Sequence, residues 1–135
     1  MFQEAGIVVR DNNIISYATG KIFHVEFDFM HIWEYYKVVQ CDPCELLFYH
    51  TRPEGFFSYS DLDVNCIKGL NLSFGETVYF SLITFYSNMQ YDLNHEQISY
   101  QYIKGEMIEV NNIPLSHDQL LFLKVLSYRQ KEGNE

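Results

Sequence analysis

The residues whose types could do chemistry crowd into one stretch, Tyr49-His50-Thr51-Arg52-Pro53-Glu54-Gly55-Phe56-Phe57-Ser58-Tyr59-Ser60-Asp61-Leu62-Asp63. An apolar run precedes it, Pro53 and Gly55 mark a turn, and Ser60-x-x-Asp63 reads as a helix N-terminus with Ser60 as cap and Asp63 at the third helical position. Strand, loop and helix start in succession form a frequent seat of chemistry, because rigid flanks position the loop's side chains. Cys41-Asp42-Pro43-Cys44 is the other candidate. A Cys-x-x-Cys can be half of a zinc site or a redox pair, but the second Cys or Cys-His pair of a structural zinc site is missing, so these read as thiols flanking a turn.

Several elements must position the stretch. Ala5 to Val9 and Asn13 to Tyr17 are short β-prone runs around Arg10-Asp11-Asn12, which predicts a hairpin. Lys21 to Phe27 alternates as a third strand would. From Asp28, a cap residue, to Val39, the residues Phe29, Ile32, Trp33, Tyr36 and Val39 recur at helical spacing. Cys44 to His50 reads as a buried strand that delivers His50 to its end, and the helix from Ser60 is expected to stop near Gly69 or Asn71. Glu76 to Tyr86, rich in β-branched and aromatic residues, predicts a strand. Ile98 to Ile103 and Glu106 to Val110 flank Lys104-Gly105 as a second hairpin. Ser116-x-x-Gln119 is a capping box that opens a helix to about Arg129, with Leu120, Leu123, Leu126 and Val125 on its apolar face.

Bulk properties exclude several classes. At 135 residues the chain has room for one domain with a real core, expected over 1–130 with a frayed 131–135 tail. A composition 47% hydrophobic and 20% charged lies far from that of disordered chains. A net charge of −9, with nine Lys and Arg, argues against a phosphate-backbone partner. No apolar run approaches the length of a membrane helix and no signal segment is visible. Three cysteines, an odd number, suit a reducing compartment. A cytoplasmic protein with no nucleic-acid or membrane partner is expected.

The spacing His50, position 52, Pro53, then Ser60-x-x-Asp63 resembles the His-x-His-Pro and Ser-x-x-Asp signature of the JAMM (JAB, MPN+) zinc metalloproteases. The order of elements is similar too. The resemblance implies an α+β, JAMM/MPN-like (cytidine-deaminase-like) mixed β-sheet flanked by helices in a single domain. It also implies a glutamate at the first core strand. Glu4, in Glu4-Ala5-Gly6, stands at that place, with Glu26 as a competitor. Only three residues precede Glu4 where the family has a helix, so a shortened N-terminus is expected. Capping alone would also select Ser60 and Asp63.

In that family two imidazoles and a carboxylate hold zinc with one open position, and the bound water is activated while a glutamate takes its proton. Carried to this chain, His50 and Asp63 would be metal ligands, Glu4 the general base and Ser60 the oxyanion donor. Arg52 stands where the second ligand histidine belongs. A guanidinium is a permanent cation with no lone pair for a metal. His24, His31, His95 and His117 could substitute only from elsewhere in space.

Two readings follow. One is a non-catalytic interaction or assembly domain with a decayed zinc site, in which Arg52 bridges Asp63 or Glu4. It would hold no metal at full occupancy, and its partner would be a protein, either another copy or an MPN-type domain. The other is a zinc-dependent isopeptidase or peptidase with an altered site. A third would make Arg52 the floor of a pocket for a partner's carboxylate.

Overall fold

Ala5–Arg10 (β1) and Asn13–Thr19 (β2) pair antiparallel. Their turn residues Asp11 and Asn12 have φ of 52° and 63°, the left-handed pair that a two-residue hairpin turn needs and that Asp and Asn tolerate. The computed structural model describes residues 2–20, 27–55, 59, 61–75 and 78–128. Of the strand expected at Lys21 to Phe27, all but Phe27 lies outside the described residues, as do Ser60 and the tail from residue 129.

Phe29–Val39 (α1) starts where expected: Asp28 caps it, its carboxylate accepting from the His31 N–H at 3.1 Å. The next strand begins later than its apolar run suggests. Pro43–Glu45 close a short 3₁₀ turn, with the Glu45 carboxylate accepting from the Asp42 N–H at 2.8 Å, so strand β3 is Leu47–Thr51 rather than Cys44 to His50. Helix α2, Asp61–Phe74, runs past the expected stops at Gly69 and Asn71. Gly69 faces open space, while Leu70 and Phe74 beyond it are buried and reward continuation. The actual stop is Gly75 at φ +113°, whose N–H bonds the Asn71 carbonyl at 2.9 Å.

Strand β4 is Tyr79–Phe85; of the expected Glu76 to Tyr86 run, Val78 and Tyr86 lie outside the strand, and Glu76 and Thr77 lie outside the described residues. His95–Ile103 (β5) and Glu106–Val110 (β6) form the second hairpin around Lys104 and Gly105, both at positive φ. Helix α3, His117–Ser127, has the expected capping box between Ser116 and Gln119. Leu123 and Leu126 are buried and Leu120 packs beside them, but Val125 points away from that face and is 36% exposed.

The six strands form one mixed sheet in the order β2-β1-β3-β4-β5-β6, parallel between β3 and β4 and antiparallel elsewhere. A parallel pair needs a crossover, and α2 supplies it. Alternation along the strands sends Ile7, Val9, Tyr49, Ile83 and Phe85 toward Leu123 and Leu126 of α3. The same alternation sends Val8, Phe48 and Phe80 toward Ile32 of α1 and Ile67, Leu70 and Phe74 of α2. The result is an α+β sheet covered on both faces, in one small domain. No helix among the described residues is long and apolar enough to cross a membrane.

Candidate functional site

The register of β1 against β3 sets Gly6 opposite His50. Side chains two residues apart on a strand share a face, so Arg52 follows His50 onto the α2 side while Glu4, two before Gly6, meets it from β1. The backbone holds this arrangement. The Arg52 N–H continues the ladder to the Ile83 carbonyl at 3.0 Å, and the Glu4 carbonyl accepts from the Gly20 N–H at 2.8 Å. Thr51 Oγ1 takes the Ala5 N–H at 3.0 Å and lies 2.9 Å from the Ser127 hydroxyl. Asp63, in the first turn of α2, completes the group from above.

Glu4, His50, Arg52 and Asp63 thus converge, from 0% to 6% exposed, although Glu4 precedes β1 and the other three come from β3, the loop after it and α2. Arg52 Nη1 donates to Glu4 Oε2 at 3.0 Å and lies 3.9 Å from Asp63 Oδ2. His50 Nε2 is 3.3 Å from that same Asp63 oxygen, within ion-pair reach but without the alignment of a hydrogen bond. Glu4 Oε1 and His50 Nε2 are buried with no hydrogen-bond partner among the described residues.

The electrostatics are tightly opposed. Burial, and then the Asp63 charge, raise the Glu4 carboxyl to about 8, against the lowering effect of the adjacent Arg52. Glu4 is therefore largely protonated at neutral pH. A carboxyl in that state is poorly suited to accept a proton as a base.

Tyr59 belongs to the site and was not foreseen from the sequence. Its ring packs on His50 with centroids 5.1 Å apart and on Tyr100 at 5.6 Å. Its hydroxyl is buried without a partner among the described residues, and burial pushes its phenol well above the ordinary value. Beneath His50, Tyr59 and Asp63 lies a narrow cavity of about 20 Å³, walled by Phe27, Phe48 and Phe80, with room for a single water.

Glu4, His50 and Asp63 offer ligand atoms all within 4.8 Å of one another, the one such group among the described residues. A zinc of the kind the resemblance implies would meet a permanent cation here, because Arg52, which has no lone pair for a metal, lies against these atoms and is hydrogen-bonded to Glu4 at 3.0 Å. No other described histidine joins the group. His31 bonds the Ile15 carbonyl at 3.0 Å, His95 the Leu93 carbonyl at 2.7 Å, and His117 is exposed beside Asp118. His24, Glu26 and Ser60 lie outside the described residues. Cys41 is buried and Cys44 and Cys66 exposed, and none forms a disulfide. The chain matches no protein-family model, and no curated protein matches it either.

Proposed function

We propose that this chain is a non-catalytic JAMM/MPN-like, cytidine-deaminase-like domain that serves in protein interaction or assembly, its ancestral zinc site replaced by an ion-pair cluster. The observation that carries the reading is the position of Arg52. It occupies the second-histidine place in the motif, and its guanidinium lies 3.0 Å from Glu4 and 3.9 Å from Asp63, supplying the positive charge a zinc would have supplied. The convergence of Glu4 with His50 and Asp63 supports the ancestry, since capping chemistry gives no reason for a distant glutamate to join them.

The second reading, an altered-metal isopeptidase or peptidase with Glu4 as base and Ser60 as oxyanion donor, is favoured by the two orphaned atoms, Glu4 Oε1 and His50 Nε2. Buried polar atoms without partners are where an ion or a water gains most. Elemental analysis of protein purified without chelator separates the two. Well under one zinc per chain is expected, and stoichiometric metal that disappears in His50→Ala would overturn the proposal.

A further inference from the structure

The sheet has two outer strands, β2 and β6, and among the described residues only β2 is guarded. Its register with β1 breaks at Ile15, which stands unpaired between Ile14 and Ser16, and the His31 ring of α1 lies 3.0 Å from the Ile15 carbonyl. Bulges and covering groups of this kind block an edge against further pairing. Strand β6, Glu106–Val110, pairs with β5 in unbroken register and has neither device among the described residues.

The turn before β6 decides which of its backbone groups face out. Lys104 and Gly105 have φ of 51° and 81°, a two-residue turn whose flanking pair, Ile103 and Glu106, exchanges hydrogen bonds. Bonded and non-bonded pairs alternate along an antiparallel ladder. Glu106, Ile108 and Val110 therefore bond β5, while Met107 and Glu109 turn their N–H and C=O groups outward. Among the described residues no backbone group meets these from the outer side. Ile108, at the middle of the strand, is 39% exposed, and Met107 and Val110 are half-buried.

We propose that β6 pairs antiparallel with the β6 of a second copy about a two-fold axis at Ile108, joining the two sheets edge to edge. In this register Met107 lies opposite the partner's Glu109 and Glu109 opposite the partner's Met107, so the outward N–H and C=O groups of both strands are all satisfied. The two Ile108 side chains meet at a non-hydrogen-bonded position, where antiparallel neighbours come closest, and cover each other. Glu106 falls opposite the partner's Val110, so no glutamate directly faces another. Centring the pair on Glu109 would set two carboxylates face to face, and centring it on Met107 would leave Glu109 opposite the turn at Gly105. Strand β6 is thus its own complement in one register, and nothing in it selects a strand of different sequence.

The contact is small and its charges oppose it. One five-residue strand falls well short of a standard interface, so the association is weak and reversible. The two Glu109 lie on a diagonal, about 7–8 Å apart, and each copy carries a net charge of −9. Salt screens both repulsions and strengthens the pair.

The proposal rests on the interaction-domain reading, for which it names the partner, yet the two fail separately, since zinc content says nothing of β6. Sedimentation velocity over a range of protein and salt concentrations should show a monomer–dimer equilibrium that tightens with salt. Glu109→Pro removes an N–H that faces away from β5, so it spares the fold while weakening the dimer about tenfold or more through lost bonds. Ile108→Glu, which sets two carboxylates on the axis, should do the same, and Glu109→Gln, which keeps the N–H, should tighten the dimer. Leu72→Ala, at a 90% exposed position on α2, should leave it unchanged. Matching far-ultraviolet spectra would show that the variants are folded. Under oxidation Ile108→Cys should link to its own copy, a 108–108 bond that peptide mapping separates from links through the exposed Cys44 and Cys66, and Glu106→Cys should not. A dimer that Glu109→Pro and Ile108→Glu leave intact, or linking at 106 as readily as at 108, would overturn the proposal. So would a chain that is monomeric throughout, which would leave the edge to a strand of another protein.

Discussion

Arg52 lies against two buried acids, hydrogen-bonded to the largely protonated Glu4 at 3.0 Å and 3.9 Å from the Asp63 carboxylate. Arg52→Ala removes the cation 3.9 Å from Asp63 and leaves that carboxylate facing Glu4 in a desolvated pocket. Breaking a buried pair in this way costs about 3–5 kcal/mol, against roughly 0–1 kcal/mol for an exposed one. Denaturant unfolding of Arg52→Ala should show the larger loss, and adding Asp63→Asn should recover part of it as coupling in a double-mutant cycle. A neutral Arg52→Ala would remove the basis for a replaced metal. Arg52→His should raise zinc affinity by orders of magnitude in calorimetry, because it would put a second imidazole beside His50 and Asp63; an unchanged affinity would contradict the proposed zinc ancestry. His50, Arg52 and Asp63 were legible in sequence because they lie on one strand-loop-helix unit, where spacing is geometry. Glu4 was legible only through the family resemblance, since antiparallel register brings it in from 46 residues away in the chain, the separation of Ala5 and Thr51. Tyr59 carried no signal at all, one aromatic among eleven Tyr and eleven Phe.

Hairpins and caps could be read from local chemistry: Asp11-Asn12, Lys104-Gly105, Asp28 and Ser116 all act where their side chains and φ preferences dictate. Boundaries set by packing could not. Gly69 looks like a helix stop, but the burial of Leu70 and Phe74 carries α2 across it to Gly75. Gly6 is the glycine whose role depends most on a distant neighbour. A Cβ there would fall 2.5 Å from the Phe27 ring and 3.2 Å from the Tyr49 carbonyl, and that ring packs edge-on against Phe48 and walls the cavity under His50. Gly6→Ala should therefore displace Phe27 and destabilise by about 1–3 kcal/mol, as overpacking typically does. Thermal or denaturant melts would measure it, with Phe27→Leu in the same chain expected to restore part of the loss. A Gly6→Ala chain as stable as wild type would mean that β1 and Phe27 are not packed in this way.

For the molecule as a whole, Glu4 predicts an unusual pH profile. Its folded value of about 8 lies above the ordinary 4.5, so between those limits the folded state keeps a proton that the unfolded chain releases. Stability contributed by the neutral carboxyl is complete below about 4.5 and is lost as the pH rises toward about 8, with a slope on the order of 1 kcal/mol per pH unit. Urea unfolding across that range should show the decline, and Glu4→Gln should flatten it; a wild-type profile already flat would contradict a buried neutral Glu4. The segment that carries Glu4 is moored at the far end of the chain. The Gln3 side chain donates to the Leu126 carbonyl, 123 residues away, and the Gln3 N–H donates to that of Ser127. Seen as a sequence of events in time, this makes the pocket a late product of synthesis. At about 5–20 residues per second a ribosome takes roughly 6–25 seconds to travel from one mooring point to the other. For roughly the second half of that interval Arg52 and Asp63 are already made while Gln3, beside Glu4, lacks its anchor, so a nascent chain released before Leu126 would leave the ribosome without this mooring of the pocket.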